Sequence, residues 1–328
     1  MSLTQRPVKH SREPARAAGV ALAPAPVKWR PVTPAKHACA SDVFAANMFA
    51  LLEQMCANQP GALAGEDPEY LHQLRVTVRR LRAILSLYSG LLCKRRRKAV
   101  VRELQWLSRA LGPARDADVF VTEIWPPLRE ALGVGPRTEA LDRAWHRLQR
   151  RAAAAAHRAL ASQRYQRLML QLARWIAQPS WRGDAGGQRR ANRDQLARGF
   201  GRIELGRRTD RVRKVGRAPG TLDAEALHRL RIDIKKLRYM MDTLRPLFNR
   251  ARVKKMLATL SRLQDILGDL NDIEVAEQKL GAALSAGDSV DANQLRERFT
   301  RWRALRRKGL KRKLQQTWRA YRRADTFW

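Results

Sequence analysis

The residues best placed to do chemistry stand in two copies of one phrase. Leu71–Arg82 reads LHQLRVTVRRLR and Leu227–Arg238 reads LHRLRIDIKKLR, 156 positions apart. On a helix turning about 100° per residue, His72, Arg75, Arg79 and Arg82 fall within an arc of roughly 80°. His228, Arg231, Lys235 and Arg238 do the same in the second copy, while Arg80 lies off the stripe on its other flank. Guanidinium and ammonium groups in such a row suit oxyanions, to which they donate charge-assisted hydrogen bonds. An imidazole among them can gain a proton when an anion arrives. Like charges three and four positions apart repel one another in the free protein. No acid inside the first copy relieves them, and Asp233 in the second sits off the stripe. A charge run on a helix is ordinarily a solvated face. Duplication in register, with the histidine kept and counter-charges missing, favours an anion site instead.

The elements that must position these stripes are helices. Beside each basic arc runs an apolar one: Leu71, Leu74, Val78, Leu81 and Leu85 in the first copy, Leu227, Leu230, Ile234 and Leu237 in the second. From Lys36 onward apolar residues recur at helical intervals, and the good helix formers Ala, Leu, Arg, Gln and Glu dominate. Alternating strand patterns are scarce, so the fold is expected to be all-α. The repeat extends without gaps beyond the phrase. Leu104 falls on Leu260, Leu107 on Leu263, Leu111-Gly112 on Leu267-Gly268, Asp116 on Asp272, Val119 on Val275 and Tyr165 on Tyr321. One offset held across several elements indicates an internal duplication, each unit having room for about four helices.

Turn and breaker residues set the expected boundaries. Residues 1–37, rich in Pro and Ala and basic, read as a disordered tail, because proline at that density prevents a continuous helix. A first bundle is expected over 38–180, a linker over 181–190 and a second bundle over 191–328. Asn58 is expected to end the first helix, Glu66-Asp67-Pro68-Glu69 to start the second, Gly112-Pro113 to break another and Trp125–Leu128 to break or kink a further one.

Composition narrows the partner. Lys and Arg number 66 against 30 Asp and Glu, a formal charge of +36 over 328 residues. Such a surplus opposes compaction unless a polyanion neutralises it: nucleic acid, an anionic membrane or a phosphate polymer. No apolar run is long enough for a membrane span and the first residues lack a secretory apolar stretch, so a cytoplasmic location is expected. Cys39, Cys56 and Cys93 lack metal-ligand spacing and read as small apolar residues. No zinc-finger or RNA-recognition signature accompanies the charge, so nucleic acid is expected to bind only non-specifically. Trp106, Trp125, Trp145 and Trp175 lie in helical stretches and read as core. Asp116 and Asp118 read as helix-start acids. No GxxxxGK[ST], HExxH or GxSxG motif occurs, so neither catalysis nor a metal or other cofactor is expected.

The paired phrases, each followed by a trailing LxxLxxxLGxxxDxxV pattern, resemble the CHAD family, the conserved-histidine α-helical domain. The resemblance covers about Ala38 to Tyr321. It implies two four-helix bundles related by a pseudo-twofold axis around a central basic channel that binds inorganic polyphosphate. It carries the family motif onto His72, Arg75, Arg79, Arg80 and Arg82 and onto His228, Arg231, Lys235, Lys236 and Arg238, with Lys98, Lys254 and Arg164 as outlying positions. Arg164 falls on Ala320 at the common offset, so the symmetry does not reach it. It further implies association with polyphosphate or polyester storage granules. Many members accompany a CYTH triphosphatase domain; no such domain is read here, so no hydrolysis is carried over.

Overall fold

The computed structural model describes residues 25–178, 187–284 and 290–328. The expectations for residues 1–24 and for the linker up to residue 186 lie outside them. The fold is all-α. The first half holds α1 (Ala40–Ala64), α2 (Pro68–Leu87), α3 (Lys94–Val119), a π-helical turn (Phe120–Ile124), α4 (Trp125–Leu132), α5 (Pro136–Leu160) and α6 (Gln163–Ala177). The short α7 (Gly187–Asp194) leads into α8 (Ala197–Val215), α9 (Ala224–Leu244), α10 (Arg250–Leu284) and α11 (Val290–Arg323). The offset of 156 carries the first residues of α2 and α3 onto those of α9 and α10.

Local sequence accounts for the basic helices. Asp67 caps α2 by accepting the Glu69 N–H at 2.8 Å, with Pro68 in the first helical position. Asp223 caps α9 by accepting the Ala226 N–H at 2.7 Å. Their apolar arcs enter the core as expected: Leu74, Val78, Leu81 and Leu85 on α2, and Leu227, Leu230, Ile234 and Leu237 on α9, are all buried.

Two expected breaks are corrected, and the third is met as a change of helix type. α1 runs past Asn58 and Pro60 to Ala64, stopping where Gly65 adopts φ 74°, a left-handed value that favours glycine. α3 runs through Gly112-Pro113. An internal proline costs about 3 kcal/mol. Leu107 and Leu111, fully buried just before it, contribute about 1.5–3 kcal/mol each, so packing outweighs the break. At Trp125 the expected break or kink takes the form of a register shift. The Trp125 N–H reaches the Phe120 carbonyl, a π turn that absorbs Pro126 and Pro127. The second half has alanines at the equivalent positions, 282 and 283, and α10 is one continuous rod.

The two halves do not form separate cores. One continuous apolar cluster joins α1 to α3 and α6 with α8 to α11, and Tyr88 stacks on Phe200 across the halves at 4.8 Å between ring centroids. A smaller cluster packs Phe120, Trp125 and Trp145 against Leu280, Leu295 and Phe299. The starts of α1 and α8 meet in an antiparallel bridge, with Ala40 N–H donating to the Gln195 carbonyl and Ala197 N–H to the Ala38 carbonyl, each at 3.0 Å.

Residues 25–37 also depart from the expected loose tail. They form an extended strap on α1 in which the Val27 N–H donates to Asn58 Oδ1 at 3.0 Å and the Val27 carbonyl accepts from Asn58 and Gln54, each at 2.9 Å. Trp29 then packs on the core. The three cysteines are free, and none of them is buried. Trp125, Trp145 and Trp175 are buried as expected, and Trp106 is partly so. Among the described residues no helix is long and apolar enough to cross a membrane.

Candidate anion-binding site

Helices α2 and α9 pack against each other, and cations of the two stripes meet where they do. Across the two helices Arg79 of α2 stands close enough to act electrostatically on Arg231 and Lys235 of α9, and Arg75 on Lys235. Lys235 registers this most strongly. Burial, then Arg231, Arg79, Arg238 and Arg75, push its ammonium down to about 7. Burial also lowers Arg75 and Arg231, partly offset by Asp116 at the first and by Asp272 at the second. Buried and without a hydrogen-bond partner in this cluster are Arg79 Nε, Arg231 Nε, Arg238 Nε and His72 Nδ1. A group of donors already half desolvated and left unpaired costs free energy that an oxyanion would return.

The histidines are not equivalent. Burial, then Arg115, lower the His72 imidazole, with Arg79 and Arg75 adding to the effect and Glu69 opposing it. At the common offset Arg115 becomes Asn271, and it is Asn271 Oδ1 that His228 Nδ1 approaches, at 3.3 Å. Arg115 was missed in the sequence. Its only signal was its place between Gly112 and Asp116 of the trailing pattern.

Asp116 and Asp118 do not start a helix, because α3 continues through them. Asp116 Oδ1 accepts from Arg75 Nη2 at 2.9 Å, and the same guanidinium donates to the carbonyls of Leu111, at 2.8 Å, and Gly112. Arg75 therefore both borders the cluster and ties α2 to α3. Asp118 accepts from Gln149 at 3.0 Å.

The remaining motif positions divide. Arg82 is exposed at the C-terminal end of the α2 stripe, with Nη1 3.4 Å from Ser108 Oγ of α3. Arg80 points away from the stripes. Its guanidinium donates to Asp242 Oδ2 at 2.6 Å and lies between the rings of Trp29, at 4.4 Å, and Tyr239, at 5.1 Å. This pair joins the two halves and is held by the strap. Lys236, its repeat equivalent, sits 3.8 Å from Asp233. Arg164 is occupied by Glu103 at 2.9 Å and by the Trp106 ring at 4.3 Å. Lys98 and Lys254 are exposed on α3 and α10, outside the cluster.

The Arg80–Asp242 pair carries a direct prediction. Both side chains are largely buried, 14% and 18% exposed. Asp242→Ala strands the guanidinium and is expected to lower the unfolding free energy by about 3–5 kcal/mol. Urea denaturation measures it, and a loss under about 1 kcal/mol would mean that the contact does not hold the halves together.

Comparison with known proteins agrees with this architecture. A family model described as the CHAD domain matches residues 46–281. The crystal structure of the CHAD domain from the plant Ricinus communis is similar at 27% identity with a TM-score of 0.73, covering 89% of this chain and 97% of that one. PptA from Streptomyces chartreusis shares the fold at 17% identity with a TM-score of 0.67, covering 86% of this chain and all of the other. No curated relative matches the chain.

Proposed function

The chain belongs to the CHAD domain family, and from that membership we propose that it binds inorganic polyphosphate, without catalysis, along the joined basic faces of α2 and α9. The observation that carries this reading is the approach of Arg75 and Arg79 of the first half to Arg231 and Lys235 of the second, with Arg238 beside Lys235 on the same helix. His72, Arg82 and His228 border the same surface. A flexible polymer with one negative charge per phosphate and no bases to read matches a row of cations with few hydrogen-bond acceptors. Arginine forks span adjacent phosphate oxygens and Lys235 supplies a point charge. Within the same proposal Arg80 and Arg164 hold the scaffold, and Lys98 and Lys254 lie at its margin. The family resemblance also motivates a cytoplasmic placement at polyphosphate or polyester storage granules.

Competition separates this from a nucleic-acid role, for which the overall charge is equally suited. Long-chain polyphosphate is expected to displace bound RNA or DNA at equal phosphate concentration, with log affinity falling steeply against log salt. If polyphosphate fails to displace either, the preferred ligand is a nucleic acid.

A further inference from the structure

The first turns of α3 carry the run Lys94-Arg95-Arg96-Arg97-Lys98, with Arg102 one turn on. Cations at a helix N-terminus oppose the macrodipole. Lys94, Arg97 and Lys98, spaced three and four apart, also repel one another. No acid stands in the first turn. The nearest acid along the helix, Glu103, is already engaged by Arg164 at 2.9 Å and lies 3.5 Å from Arg102. Lys94, Arg95, Arg97, Lys98 and Arg102 line one open cleft of about 930 Å³ that ends at Gln105. Gln105 is one turn from Ser108, the residue that Arg82 approaches from the end of the α2 stripe. The cleft thus continues the basic surface of α2 for about 20 Å along α3.

The second repeat carries a thinner version of this run. At the common offset Arg95, Arg97 and Arg102 become Ala251, Val253 and Ala258, while Lys94, Arg96 and Lys98 keep basic equivalents in Arg250, Arg252 and Lys254, and Lys255 stands where the first repeat has Ala99. The arrangement is therefore unequal between the two halves, with the cations that line the cleft denser on the first. On the first side a second element adds to it: Arg189 of α7 lies close enough to act on Cys93, the residue preceding α3.

We infer that the α3 face of the first repeat is a second phosphate subsite, an exit track occupied only by polyphosphate chains long enough to leave the α2–α9 surface past Arg82. This rests on the polyphosphate reading above and adds a direction and a length preference to it. A chain held at both places spans one continuous line of cations, and its second contact is intramolecular once the first is made. Tripolyphosphate is too short to reach both.

The test is calorimetry with tripolyphosphate and with long-chain polyphosphate on the full chain and on K94Q/R95Q/R97Q/K98Q. Lys94, Arg95 and Lys98 are exposed and Arg97 is half-buried, and circular dichroism checks that the helices persist. The variant is expected to bind the long chain at least about tenfold more weakly, with a salt slope smaller by about 3, by analogy with single-stranded nucleic acid. Tripolyphosphate affinity is expected to stay unchanged, and R250Q/K254Q is expected to cost less. Equal losses for both lengths, or no loss for the long chain, would overturn the exit track while leaving the α2–α9 site standing. Failure of the wild type to bind either length would overturn both.

Discussion

Arg79→Glu combined with Lys235→Glu is expected to weaken long-chain polyphosphate binding by about a thousandfold while leaving the free protein at least as stable as the wild type. These residues occupy the same repeat position and sit where the stripes meet. Two charge-assisted contacts at about 1.5–3 kcal/mol each give about a hundredfold to ten-thousandfold, before the repulsion of the new carboxylates is added. The stability half of the expectation has the opposite sign for a physical reason. In the free protein Lys235 faces Arg231, Arg79, Arg238 and Arg75, and Arg79 faces Arg75 and Arg231, so both side chains stand among like charges. Carboxylates there would pair with those guanidiniums. Calorimetry and thermal unfolding read the two effects separately. A variant that loses binding and melts several degrees lower would show that these side chains hold the helices together, and the assignment of the site would fail.

The second large effect is on pH dependence. Lys235 is held at about 7 in the free protein, first by burial and then by the four arginines around it. A phosphate chain reverses the balance and favours the ammonium, so binding takes up a proton wherever the free protein has already lost one. Affinity is expected to strengthen as pH falls from about 9 towards 7, by at most tenfold per pH unit for the single proton involved. Long-chain polyphosphate is the right probe, because its internal phosphates stay ionised throughout. Lys235→Arg, which copies what the first repeat already has at Arg79, keeps the contact and removes the titration. Its affinity should be nearly flat over the same range. Below 7 a further tightening is expected from His72, whose imidazole is lowered by burial and by Arg115, and His72→Gln should remove it. Stability of the free protein moves the other way. Its Lys235 ammonium is lowered from an unfolded value of about 10.4, so the folded state binds fewer protons in between. Thermal stability therefore rises with pH from about 7 to about 10, and that gain is lost as pH falls back through 7. A pH profile of the Arg variant that matches the wild type would remove Lys235 from this role.

Much of this was legible because it is periodic. The apolar and basic arcs of Leu71–Arg82 are fixed by helical geometry, and a second copy at one constant offset separates signal from chance. What escaped is what depends on distant partners. Pro113 and Pro60 are breakers by local preference, yet both sit inside helices, and for Pro113 the buried Leu107 and Leu111 outweigh it. Arg80 belongs to the motif by position, but Asp242 lies 162 residues away and Trp29 on a strap that reads as a loose tail, so its pairing had no local trace. Arg115 and Asn271 show the limit of symmetry: the repeat equates the histidines, and one substitution on a neighbouring helix makes them different. The cations of α3 were individually visible, but their meaning depends on Arg82 reaching Ser108.

The seam where Tyr88 lies flat on Phe200 has a consequence for how such a molecule could have arisen. Cut in two, each half would bare an oily flank to water and would carry only one row of cations. The natural cover for that flank is a twin of the same half, and the pairing would rebuild the facing rows at once. A single chain leaves each half able to change alone, and Lys235 opposite Arg79, or Ala251 and Val253 opposite Arg95 and Arg97, are differences that a pair of identical halves would not have.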